Sequence, residues 1–274
     1  MELTLTQKMK TVQSLATSNK KIGLVLSGGG IRGMAHIGLL KAMQEREIEA
    51  DEIGGASVGA LIGALYANGN STDEMLQFFK DTPLFQYNYF AIGKPGFIDT
   101  TKFASVFQKH FSANTFEALS KPLYVVATDL MNGKEKVFTK GELILPLLAS
   151  AALSPVFSPV EVNGVLYADG GIMNNFPKEY LEKNCELIIG SNVSINGILK
   201  KKDLNNSFQL TGRITGLMIY ASCREKIGEC DVLIEPQELE QIGILDKKGI
   251  DKAYTIGYDS ASFALDKMLN QTSS

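Results

Sequence analysis

Ser57 stands between two glycines, in Gly55-Ala56-Ser57-Val58-Gly59, where a strand candidate at Glu52–Gly54 gives way to a helix candidate at Leu61–Ala67. In that context G-x-S-x-G is the pattern of a strand-to-helix turn that presents a nucleophile. Gly55 and Gly59 are needed because the turn is tight, and side chains there would clash with neighbouring backbone. The hydroxyl then sits at a helix N-terminus, where exposed N–H groups and the dipole favour developing negative charge. Taken alone, the pattern is equally compatible with Ser57 as a helix N-cap.

A second glycine-rich turn, Gly28-Gly29-Gly30-Ile31-Arg32-Gly33, follows the first strand candidate and opens the first helix candidate. Consecutive glycines leave several backbone N–H groups free to point at one anionic centre, a phosphate or the oxyanion of a tetrahedral acyl intermediate. Gly28, Gly29, Gly30, Arg32 and Gly33 are therefore the candidate oxyanion residues. Arg32 orients the loop or attracts an anionic head group, unless it is only a surface side chain at a helix start. The same stretch satisfies G-x-G-x-x-G through Gly28, Gly30 and Gly33, and Asp51 lies 23 positions beyond Gly28. That spacing is close to a dinucleotide-binding fingerprint, which makes a nicotinamide-type oxidoreductase the alternative from another class. It ranks behind, because the polar run at 45–52 is a poor buried strand and the fingerprint leaves the Ser57 turn unexplained.

A serine nucleophile needs a base, and the chain holds 2 His. His36 follows Gly33 by about one helical turn, and His110 lies between Phe107 and Phe111; both read as packing residues. Asp169, in Asp169-Gly170-Gly171 at a strand end, is the better candidate because the tight turn exposes its carboxylate. A reference pKa of ~3.9 makes an aspartate a poor base in water, so the pair needs a partly desolvated site. Asp129 competes for the role but reads first as an Asx-type cap before Asn132-Gly133.

These residues must be held by strands and helices in alternation. Lys21–Leu26 is an apolar run that suits a buried strand, and Met34–Glu45 reads as an amphipathic helix. Ser71 and Glu74 form a capping box for a helix through Lys80. Thr100–Phe111 is expected to be helical, Leu123–Thr128 a buried strand, and Asn132-Gly133 a turn into Lys136–Thr139. Asn163-Gly164 joins Val160–Val162 to Val165–Ala168 as a hairpin that delivers Asp169. Leu187–Ile189 and Val232–Ile234 are further strands, and Leu210–Ile227 and Lys252–Leu269 helices. The expected fold is α/β, with a mainly parallel central sheet and helices on both faces. Residues 1–20 read as an N-terminal arm and 21–274 as the working domain, with Lys200–Asn206 a surface loop rather than a boundary.

In this order the motifs resemble the patatin-like phospholipase family of serine lipid acyl hydrolases, from Lys21 to at least Pro177. The resemblance rests on Gly28–Gly33 with Ala35-His36-Ile37-Gly38, on Gly55–Gly59, on Asp169-Gly170-Gly171, on the Pro-containing segment Ala149–Phe157 and on Ala127-Thr128-Asp129-Leu130. It implies a three-layer fold, Ser57 as nucleophile, Asp169 as its dyad partner without a histidine, and the glycine loop as oxyanion hole. The implied reaction is ester hydrolysis through an acyl-enzyme, with no cofactor and no metal. From Lys200 onward no motif of the family is recognised. A catalytically silent, lipid-binding or regulatory relative is the other alternative, which intact Ser57 and Asp169 argue against.

Composition sets the outer bounds. At 274 residues, 45% apolar and 21% charged, the chain can bury a core without disulfide or metal staples. A net charge of −3 argues against a nucleic-acid partner. Three cysteines without CxxC spacing suit a reducing compartment, so a soluble, cytoplasmic protein is expected. Met1–Lys21 lacks a signal-peptide core, and prolines 146, 155 and 159 interrupt the most apolar stretch, Leu143–Val160. The aromatic run with Phe85, Tyr87, Tyr89, Phe90 and Phe97 either lines or covers an acyl pocket, or packs as an ordinary loop. Lys200-Lys201-Lys202 reads as a solvated loop, with peripheral contact to an anionic membrane as its alternative. The expected partner is a lipid or small acyl ester.

Overall fold

A computed structural model describes residues 20–82, 89–201 and 204–271; the remainder of the N-terminal arm, with Phe85, Tyr87 and Lys202, lies outside the described residues. One sheet organises the chain, in the order β5-β6-β3-β2-β1-β7-β8, with β4 paired to β3. Its strands are β1 (Ile22–Leu26), β2 (Glu52–Ala56), β3 (Leu123–Asp129), β4 (Lys134–Phe138), β5 (Val160–Val162), β6 (Val165–Asp169), β7 (Leu187–Ser191) and β8 (Val232–Ile234). The run from β3 through β8 is parallel, whereas β4, β5 and β6 add antiparallel pairing on one side.

Side-chain alternation along the strands builds the three layers. Leu24, Leu26, Ile53, Leu123, Val125 and Ile189 point to one face, where α1 (Met34–Gln44), α2 (Val58–Ala67), α5 (Ile144–Ser150) and α8 (Ile250–Gln271) complete the larger core. Val25 and Ile188 point the other way, against Phe176, Leu181, Cys185 and the end of α7 (Ser207–Ile227). Parallel strands buried on both faces need continuous apolar runs, which is why β1 and β7 show no polar alternation. All three cysteines are free thiols, two of them buried.

Three local expectations change. Helix α1 is not amphipathic but buried nearly all round, because α8 covers its outer side. The approach is backbone to backbone: a Cβ on Gly38 would lie 2.3 Å from the Tyr254 carbonyl, and one on Gly257 2.2 Å from that of Ala35. The stretch from Thr100 is shorter and tighter than a full helix, with a 3-10 turn at Thr100–Phe103 followed by α4 (Ala104–Gln108). β-branched Thr100, Thr101 and Val106 favour helix weakly, and Asp99 accepts the Thr101 N–H to set the tight start. The strand after Asn132-Gly133 starts earlier than expected, at Lys134. Helix α3 (Thr72–Asp81) does open with the Ser71–Glu74 capping box. No helix among the described residues is long and apolar enough to cross a membrane.

Candidate active site

The strands β1, β2, β3 and β7 all finish at one edge of the sheet, and the two glycine turns meet there. Ser57 adopts φ 53° and ψ −129°; it occupies the N-cap position of α2, but its hydroxyl makes no capping bond to the helix. A positive φ on a non-glycine residue is strained, by roughly 1–3 kcal/mol, and here it turns the half-buried side chain away from the helix. Packing enforces the turn. A Cβ on Gly59 would lie 2.2 Å from the Leu26 carbonyl oxygen, and one on Gly55 2.7 Å from the Ala60 nitrogen. The Ser57 N–H donates to Ser150 Oγ at 2.9 Å, tying the elbow to the end of α5.

Asp169 ends β6 opposite Ala127 of β3 and is 3% exposed. Its position is fixed through backbone: its N–H donates to Ala152 O, its carbonyl accepts the Thr128 hydroxyl, and Gly170 N–H donates to Ser150 O. A Cβ on Gly170 would lie 2.1 Å from Val126 O, so the turn requires that glycine. Asp169 Oδ1 accepts the Gly171 N–H at 2.8 Å. Oδ2 is buried and without an aligned partner among the described residues. Burial pushes the carboxyl up to about 6; the Ser57 hydroxyl beside it and the Gly171 N–H oppose the rise. A serine–carboxylate contact that is close but not yet aligned is common before substrate is bound.

The glycine loop divides its labour. Gly28 abuts Ser57, its Cβ position being 3.0 Å from the serine Cβ, but its N–H donates to Asn175 Oδ1 at 3.0 Å. The N–H groups of Gly29 and Gly30 have no acceptor among the described residues. Gly30, at φ 59°, packs so closely on Ile244 that a Cβ would fall 2.1 Å from its carbonyl oxygen. Ile31 N–H donates to that same oxygen at 2.9 Å. Arg32 does not face the site. Its guanidinium donates to the carbonyls of Ile242, Ile195 and Glu240 at 2.7, 2.8 and 3.3 Å. Burial lowers its pKa, with Glu240 opposing. Gly33 serves close packing, with Val58 2.5 Å from its Cβ position. Of the five loop residues named from sequence, Gly29 and Gly30 therefore hold the unused donors.

Neither histidine joins the pair. His36 is buried, with Nδ1 2.8 Å from Ser191 Oγ and Nε2 2.9 Å from the Ser27 carbonyl. A carbonyl can only accept, so Nε2 carries the proton and Nδ1 accepts from Ser191. Burial pulls this imidazole down to about 4, against the Ser27 bond, so it stays neutral and braces β1 against β7. His110 packs edge-on to Phe78 at 4.7 Å. Asp129 serves its own turn, accepting the Met131 and Asn132 N–H groups. Asp51 precedes β2 at the opposite edge and accepts Ile22 N–H at 2.7 Å, far from the glycine loop that a dinucleotide would need. No three His, Cys, Asp or Glu side chains among the described residues converge as metal ligands would. Tyr89 packs on Phe103 at 4.8 Å, while Phe90 and Phe97 are exposed.

Two participants escaped the sequence reading. Ser150 lies in the Pro-containing segment and holds both Ser57 and Gly170. Asn175, six residues after Asp169, is buried and wedged between Gly28 and Gly171; its Nδ2 has no partner among the described residues. Its only sequence signal was its distance from Asp169-Gly170-Gly171.

The profile of the family described as patatin-like phospholipase matches residues 24–181. An uncharacterised NTE family protein of Mycobacterium bovis is 34% identical over 185 residues, covering 66% of this chain and 51% of that protein. The neuropathy target esterase sws of Drosophila melanogaster is 32% identical over 176 residues, 60% of this chain and 12% of that one. The chain thus spans about half the length of the mycobacterial relative it matches. Two solved structures share the fold. VipD from Legionella pneumophila has TM-score 0.52 at 15% identity, covering 90% of this chain and 67% of that one. The human GIVD cytosolic phospholipase A2, solved with methyl gamma-linolenyl fluorophosphonate, has TM-score 0.51 at 10% identity, covering 97% and 61%.

Proposed function

The chain belongs to the patatin-like phospholipase family, and from that premise we propose that residues 21–274 act as a serine hydrolase of lipid acyl esters. One observation carries the reading: a buried carboxyl, unaligned at Oδ2 and raised to about 6, lies beside a hydroxyl held at a strained elbow. The names of the relatives, an esterase among them, point to the same chemistry. A reducing, cytoplasmic setting belongs to the same reading, on the three cysteines without CxxC spacing.

In this reading ionised Asp169 accepts the Ser57 proton as Oγ bonds to the ester carbonyl carbon. The carbonyl π pair moves onto oxygen, and the Gly29 and Gly30 N–H groups receive the oxyanion. When the tetrahedral centre collapses, the alcohol leaves with the proton held by Asp169. Water then gives its proton to Asp169 and attacks the acyl-enzyme, and Ser57 departs as a hydroxyl. A carboxylate of pKa near 6 suits both directions of transfer at neutral pH better than one near 4. No cofactor enters any step. In this reading any contact with a membrane that holds the lipid substrate is peripheral.

Intact mass after fluorophosphonate treatment tests this. One adduct on the wild type, none on Ser57→Ala and slow labelling of Asp169→Asn are expected. A folded wild type that takes no adduct would make the chain a silent, lipid-binding relative.

A further inference from the structure

Resting on the hydrolase reading, we propose that the protein docks on an anionic lipid bilayer through the sheet edge that carries Ser57. The N-terminal half of α7 is the main inserting element. This helix lies beyond the family match, and its packing is unusual. Among its described side chains only Cys223 and Ile227, near its C-terminus, are buried. Leu210, Ile214, Leu217 and Met218 recur at helical spacing on one face and are 44–68% exposed. Gly212 and Gly216 weaken the helix further, and a helix that buries so little of itself is marginal in water. It is fastened elsewhere, by the Lys226–Glu179 ion pair and by Arg213 donating to the Gly197 carbonyl. Its apolar face is left for something else to cover.

The surroundings say what. Exposed apolar side chains gather at the same edge: Met131 after β3, Met173 four residues after Asp169, and Ile198 ahead of α7. β7 finishes at the catalytic edge and the parallel β8 begins at the opposite one, so α7, which joins them, has its N-terminal half toward the catalytic edge, while Lys226 near its other end reaches Asn174 of α6 (Gly171–Asn174). The opposite edge is charged instead, presenting Lys21, Glu49, Asp51 and Glu186, with Phe263 of α8 exposed toward that end beside the Arg46–Asp266 ion pair. Charge completes the argument. Residues 196–218, up to the end of the apolar face, hold four Lys or Arg against one acid, in a chain whose net charge is −3. An apolar helical face flanked by cations, on an otherwise acidic protein, fits an anionic interface.

Flotation of the Ser57→Ala chain, which leaves vesicles intact, tests the proposal. The probe is phosphatidylcholine vesicles with and without phosphatidylglycerol. The protein should float with the anionic vesicles, and Leu217→Glu/Met218→Glu should weaken binding by about tenfold or more. Phe263→Glu, an exposed apolar residue on α8, should change nothing. With Ser57 restored, the Glu pair should lower turnover of vesicle lipid, relative to a soluble p-nitrophenyl ester, by a similar factor. Failure to float, flotation insensitive to the Glu pair, or a dimer in solution that the Glu pair dissolves would each overturn the docking surface. Flotation abolished by the Glu pair, in a protein that turns over no ester and takes no fluorophosphonate, would keep the docking surface and remove the hydrolase.

Discussion

The side-chain amide of Asn175 accepts the backbone N–H of Gly28 at 3.0 Å, across 147 positions of sequence. This bond joins the turn that carries Asp169 to the loop that offers Gly29 and Gly30 N–H groups. The three parts of the candidate site are therefore held as one body: Ser150 ties the elbow to Gly170, and Asn175 ties Gly28 to α6.

Asn175→Ala should leave a buried Gly28 N–H without an acceptor, at about 1–3 kcal/mol of stability. Turnover should fall more than the fold suffers, by about 10–100-fold in kcat with little change in KM, because donors displaced from an oxyanion lose transition-state stabilisation only. Asn175→Asp keeps the acceptor but sets a second carboxylate near Asp169, so the acid limb of the pH–rate profile should move upward. A variant with unchanged kcat would leave Asn175 a packing residue.

The pH dependence, compared between wild type and histidine variants, separates Asp169 from the histidines. As a base Asp169 works ionised, so kcat/KM should rise with pH through about 6 and then level. An ordinary histidine titrates in almost the same range, which makes the position of the limb ambiguous on its own. His36→Gln and His110→Gln resolve it: the limb should stay in place in both, although loss of the Ser27 and Ser191 contacts should lower the melting temperature of the first. Disappearance of the limb in either variant would transfer the base role to that histidine.

Burial of Asp169 has a stability consequence of opposite sign to the benefit its proposed base role would draw from it. Its folded pKa, about 6, lies above the unfolded value, so the native state holds the proton longer. The stability that protonated Asp169 contributes is fully present below about pH 4 and is lost as pH rises through about 6. Asp169→Asn removes the ionisation and should be more stable than wild type above pH 6, by roughly 1–3 kcal/mol, while inactive. Calorimetric scans of both proteins should converge near pH 4 and separate at pH 7–8. Equal separation at all pH values would mean the difference is packing, not charge.

How far these relationships could be read from sequence depended on whether the cause was local. Gly55, Gly59 and Gly170 announce themselves because a tight turn admits no other residue, and the spacing of Ser57 and Asp169 from those glycines follows. The capping box at Ser71 and the Asn163-Gly164 hairpin are equally local. Partners distant in sequence were invisible. Nothing near Arg32 foretells carbonyls at 195, 240 and 242, and nothing near Met34–Gln44 shows that α8 will bury its outer face through Gly257. Gly28 looked like a donor to substrate because the residue that takes its N–H lies 147 positions away.

Arg32 yields the last prediction, because its geometry contradicts a role in reading an anionic head group. Three carbonyls from the segments after β7 and β8 converge on its guanidinium, in the region where Ile244 overlies Gly30. The side chain therefore acts as a clamp that presses the C-terminal cover onto the glycine loop, fixing the Gly29 and Gly30 donors. Lysine offers one compact ammonium in place of a planar fork and cannot span three carbonyls in that way. Arg32→Lys should destabilise the fold by about 1–3 kcal/mol and slow fluorophosphonate labelling, since buried carbonyls lose charge-assisted partners and the donors gain freedom. The discriminating readout is the substrate dependence of the defect. A clamp should lower turnover of neutral and anionic esters by the same factor, whereas a residue that contacts a head group should raise KM for anionic esters alone.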